Sequence, residues 1–135
     1  MIECLILGDS IAVGTQQFRH ECAVYAQSGI NSQQWRKKYL KSDQGALPQT
    51  KTAIISLGSN DHKNVRTILE LQTIRRAVNA DRVFWILPAI KPDIQDTVRK
   101  LAEKYGDSVL PINRLQPDGI HPNRAGYKDI VERIK

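Results

Sequence analysis

Five short apolar runs, at about 2–7, 22–26, 52–57, 82–87 and 108–112, recur along the chain with polar–apolar segments of helical spacing between them. This alternation constrains the fold more than any other feature. Runs of that length and composition read as strands buried on both faces. The segments near 11–19, 31–41, 64–79 and 93–105, and a last one from about 123 to 134, read as helices. Near-continuous apolar strands need cover on both sides, which helices supply when the sheet is parallel. The expected architecture is α/β: a three-layer α/β/α sandwich around a five-stranded parallel sheet, with strand order 2-1-3-4-5.

Local signals support the helices. Ile68, Leu71, Ile74 and Val78 form an apolar stripe with Arg75 beside it. Pro92-Asp93 suits a first helical turn, and Gly106 stands where a helix ends. Asn123 is placed to cap the last helix, and His20 to end the first, where a cation complements the dipole. The segment 41–51, with Gly45 and Pro48, reads as a surface loop.

With 135 residues the chain is expected to form one domain, residues 1–135. Hydrophobic residues make up 41% and charged residues 25%, a globular balance, and no apolar run approaches the roughly 20 residues of a membrane span. The opening Met1-Ile2-Glu3-Cys4-Leu5-Ile6-Leu7 reads as a first strand and not as a signal peptide, which predicts a cytoplasmic protein. A net charge of +6 admits an acidic partner, but the basic residues are dispersed. Only Arg36-Lys37-Lys38 forms a tight run, and it reads as a solvated helix face; with aromatics at 6%, no nucleic-acid partner is expected. Cys4 and Cys22 are too few for a disulfide framework. Adjacent strands can bring them close, but both are expected as free, buried thiols.

In an open parallel sheet, ligands bind beyond the carboxyl ends of the strands. Four loops at that rim carry small, polar or titratable residues: Gly8-Asp9-Ser10, Ser28-Gly29-Ile30-Asn31, Gly58-Ser59-Asn60-Asp61 and Asp118-Gly119-Ile120-His121-Pro122. Each has a plain structural reading as a turn or a helix cap. Their convergence on one rim points to chemistry. Ser10, at a strand-to-helix turn, presents a hydroxyl that needs a base. His121 is the histidine whose own loop also holds a carboxylate, Asp118, able to fix its tautomer. The Ser10 N–H, Gly29 and the Asn60 amide offer three donors for an oxyanion. Asp61 reads as structural, His62 as a solvated loop residue, Trp85 as core, and Pro88-Ala89-Ile90 as a wall of the substrate site.

These blocks resemble those of the SGNH hydrolases, also called GDSL-like esterases and lipases. Gly8-Asp9-Ser10 with Gly14 is similar to the first block, and Gly29 with Asn31 to the second. Gly58-Ser59-Asn60-Asp61 is similar to the third and Asp118-Gly119-Ile120-His121-Pro122 to the last, with Asn123-Arg124-Ala125-Gly126-Tyr127 opening the final helix. Ile11 stands where the family name has leucine, and the chain is short for the family. The resemblance implies a flavodoxin-like fold and ester hydrolysis through an acyl-serine. It implies catalytic Ser10, His121 and Asp118, oxyanion donors Ser10, Gly29 and Asn60, and no metal or cofactor.

The short chain leaves little apolar surface for a long acyl group. The expected substrate is therefore a small-molecule or glycan ester, with acetyl esters on carbohydrate first. A lysophospholipase or thioesterase, and a non-catalytic binding module on the same fold, are the alternatives. A nucleotide-binding flavodoxin-like protein is disfavoured, since neither phosphate-binding glycine loop is present.

Overall fold

The computed structural model describes residues 1–40 and 47–134. Among these residues ten elements alternate: β1 (Ile2–Gly8), α1 (Ser10–Gln16), β2 (Ala23–Ala26), α2 (Ser32–Tyr39), β3 (Thr50–Ser56), α3 (Thr67–Ala77), β4 (Ala80–Ile86), α4 (Pro92–Tyr105), β5 (Ser108–Leu110) and α5 (Arg124–Arg133). The strands form one five-stranded sheet in the order β2-β1-β3-β4-β5, and every pairing is parallel. The expected architecture and strand order both hold. Of the loop expected over 41–51, residues 41–46 lie outside the described residues, and 50–51 already belong to β3.

Alternation along the strands builds two cores. Leu5, Leu7, Ile55 and Trp85 face one layer with Trp35 of α2, Leu71 and Ile74 of α3, and Val98 and Leu101 of α4. Cys4, Ile6, Ile54, Phe84 and Ile86 face the other with Ile11 of α1 and Ile130 of α5. Each fully buried aliphatic side chain contributes about 1.5–3 kcal/mol. Trp85 is fully buried, and its indole N–H donates to Asp107, whose carboxylate also accepts two hydrogen bonds from Arg75. The caps fall where expected: Pro92 opens α4, Gly106 ends it at φ 71°, and the Asn123 side chain accepts from the Gly126 N–H.

Three expectations need correction. Cys4 and Cys22 are not free: they form a disulfide across β1 and the approach to β2. Leu5 pairs with Ala23 in the sheet, so the preceding residues are neighbours too, with Cα atoms 4.7 Å apart. The apolar stripe of α3 is narrower than expected, because Ile68 is exposed while Leu71 and Ile74 are buried. His20 is exposed and lies beyond α1, which ends at Gln16.

The strand order places a topological switch between β1 and β3. The chain leaves β1 toward β2, then returns across β1 to β3, so the loops after these two strands part and leave a crevice. Gly8 and Ser56 are paired at its floor. Gly8 has φ 143°, and a Cβ there would lie 1.9 Å from the Ser56 carbonyl oxygen, so only glycine lets the strands meet this closely.

Candidate active site

Ser10 is the first residue of α1, directly beyond the Gly8–Ser56 contact. The turn that presents it is held by Asp9. Its Oδ1 accepts from the Ile11 N–H at 3.0 Å and from the Ser56 hydroxyl at 3.1 Å, while its backbone N–H donates to the Ser56 carbonyl at 3.0 Å. The Ser10 N–H stands in the first turn, where backbone donors have no intrahelical acceptor. Asp9 is almost fully buried and its Oδ2 has no partner among the described residues, so burial pushes its pKa up to about 6 against the lowering effect of its hydrogen bonds.

His121 arrives from the far end of the chain. Residues 114–123 fold back on themselves: Leu115 bridges Pro122, Asn123 N–H donates to Arg114, and Gln116 N–H donates to the His121 carbonyl at 2.8 Å. The Gln116 side chain donates to the Pro122 carbonyl, a brace that residue type alone did not single out. Asp118 sits at the tip. Its Oδ1 accepts from the N–H groups of Ile120 and His121, and its Oδ2 lies 2.7 Å from His121 Nδ1. The Ile120 N–H, then the His121 N–H and ring, hold the Asp118 pKa down to about 2. A carboxylate at Nδ1 can only accept, so Nδ1 carries the proton and the Nε2 lone pair faces outward. Ser10 Oγ lies 2.8 Å from that Nε2. The structure thus brings Ser10, His121 and Asp118 into one continuous hydrogen-bonded line.

Gly29 and Asn60 come from the neighbouring loops. Gly29 is exposed at φ 80°, just before Asn31, whose side chain caps α2. The Asn60 amide donates to the Ile30 carbonyl at 3.0 Å, tying the two loops together. An amide nitrogen carries two hydrogens, and this contact uses one. Asp61 is buried and accepts from the Ser32 N–H, the Ser32 hydroxyl and the Thr67 hydroxyl, in keeping with its structural reading. His62 is exposed, and with Lys63, Val65, Lys91 and Ile94 it lines a cleft of about 610 Å³ on the outer side of the 58–61 turn. Among the described residues, one metal-ligand grouping occurs, Cys4, Glu21 and Cys22. Its two sulfurs are bonded to each other, so it offers no thiolate.

No family model and no curated protein matches the sequence. Solved structures do match. A lipase/acylhydrolase from Enterococcus faecalis superposes with TM-score 0.70 at 16% identity, over 99% of this chain and 93% of that one. A member of the lipolytic G-D-S-L family from Veillonella parvula superposes with TM-score 0.66 at 13% identity, over 95% and 93%. The fold is that of the GDSL-like hydrolases. An acetyl xylan esterase from the rumen bacterium Butyrivibrio proteoclasticus shares it, with TM-score 0.59 at 13% identity, over 98% of this chain and 62% of that one. In the GDSL-like fold of this chain, Ser10 follows the first strand and His121 precedes the last helix.

Proposed function

We propose that the protein is a carboxylic-ester hydrolase that removes short acyl groups, acetyl first, from small-molecule or carbohydrate esters. The observation that carries this reading is the line from Ser10 Oγ through His121 to Asp118, with contacts of 2.8 Å and 2.7 Å. Ser10 Oγ attacks the acyl carbon as its proton passes to His121 Nε2. The carbonyl oxygen becomes an oxyanion, received by the Ser10 and Gly29 N–H groups and the Asn60 amide. Collapse expels the alcohol, which takes the proton from His121 and leaves an acyl-serine. Water then attacks that ester, His121 again accepts and returns the proton, and the acid leaves with Ser10 restored. Asp118 stays ionised throughout and stabilises the imidazolium.

The short-acyl preference rests on size. His121 and Asp118 are themselves partly exposed, so the reacting centre sits at an open rim. Turnover of p-nitrophenyl esters from acetate to palmitate, alongside acetate release from acetylated glycans, tests the assignment. Acetyl esters should be preferred by at least tenfold in kcat/KM, about the discrimination a site achieves against one methylene that it does not accommodate. A preference for palmitate would replace the reading with a lipase or thioesterase.

A further inference from the structure

We infer that Lys91 is a positioning residue for Asn60, which it orients by clamping the backbone on both sides of it. The inference rests on the oxyanion role given to Asn60 above. Lys91 Nζ donates to the carbonyl oxygens of Ser59 and Asp61, each at 2.7 Å. Those carbonyls flank Asn60, so one ammonium spans the residue whose amide must be aimed. Ser59 and Asp61 are buried, and without Lys91 their carbonyls lose a charge-assisted partner.

The backbone of Lys91 supports the same conclusion. It is the only non-glycine residue with positive φ among the described residues, at φ 65° and ψ 83°, and its side chain does not cap α4. A lysine in that region carries a strain of about 1–3 kcal/mol that glycine would avoid. The strained conformation sends its side chain from the β4–α4 loop to the β3–α3 turn, about 30 residues back in sequence. α4 braces the same turn a second time, since a Cβ on Gly58 would lie 2.7 Å from Ile94 Cγ2. The turn is fixed further by Asp61 on Ser32 and Thr67 and by Asn60 on Ile30. Lys91 is therefore one jaw of a clamp whose other contacts come from the N-terminal ends of α2 and α3.

Lys91→Met keeps the aliphatic stem and removes the ammonium; Lys91→Gly removes it while relieving the backbone, which keeps a folded variant in hand. Either should lower kcat on p-nitrophenyl acetate about tenfold with KM within twofold, the signature of a misaimed transition-state donor. Lys91→Arg should recover part of the loss. In an Asn60→Ala background, itself slower by about 100-fold, either Lys91 change should cost less than twofold, because its path runs through Asn60. The Asn60 side-chain amide, followed by 15N NMR in the same proteins, should shift and broaden in Lys91→Met and Lys91→Gly. Full additivity of the two losses, a change in KM alone, or an unmoved Asn60 amide in a folded variant would overturn the inference. An inert wild type with a displaced Asn60 amide would instead sink the hydrolase reading and leave the clamp standing.

Discussion

Asp9 gives Ser10 its place at some expense in stability. One of its oxygens caps α1 and accepts from Ser56, while the other is buried without a partner among the described residues, and its pKa rises to about 6. The folded state therefore keeps a proton that the unfolded chain loses from about pH 4 upward. Stability should fall as pH rises from about 4 to about 6, by up to about 3 kcal/mol, and the deficit should persist above that window. Asp9→Asn preserves an oxygen for the cap and cannot ionise. Urea denaturation of both proteins from pH 4 to 8 should give a difference that grows across the window and then levels. A constant difference would contradict the assignment to Asp9. Ser10, His121 and Asp118 were legible in the sequence because their loops, each a plain turn or cap when taken alone, converge on one rim beyond the strand ends. Lys91 was not legible. A lysine before Pro92 looks like any solvated helix start, and its role depends on a contact between two loops that only the folded sheet brings together.

At the level of elements, every strand and helix was visible in the apolar periodicity, and the differences lie at the ends. α3 begins at Thr67, later than its spacing suggests, because Val65 N–H donates to His62 and closes a separate turn first. The Cys4–Cys22 bond was missed because two cysteines carry no pairing signal until β1 and β2 are set side by side in register. The bond closes a loop with a sequence separation of 18, which in the chain-entropy account stabilises the fold by about 3 kcal/mol. Reduction with dithiothreitol should lower the thermal midpoint by on the order of 10 °C. An unchanged midpoint, with free thiols verified by alkylation, would show that the bond does not constrain the unfolded chain. Such a bond persists in oxidising compartments, whereas a cytoplasmic location would hold the same thiols reduced.

For the whole molecule, the β2-β1-β3-β4-β5 order decides where chemistry can occur. The switch between β1 and β3 opens a crevice, α1 and the 58–61 turn flank it, and the 114–123 fold-back carries His121 across to Ser10. This placement was legible in advance, since the alternation implied a parallel sheet, 2-1-3-4-5 is a common order for such a sheet, and the rim follows from the sheet. What lay outside sequence reasoning was how the rim is stiffened: Gln116 on one loop, Lys91 on another, Asp61 between α2 and α3. On the proposed function this scaffold makes Ser10 a nucleophile, and a fluorophosphonate, which reacts with activated serines, reads that property out. The folded protein should take up one label, located on Ser10 by peptide mass spectrometry, and Ser10→Ala should take up none while keeping its thermal midpoint. A folded wild type that stays unlabelled, or a label on another residue, would contradict the account.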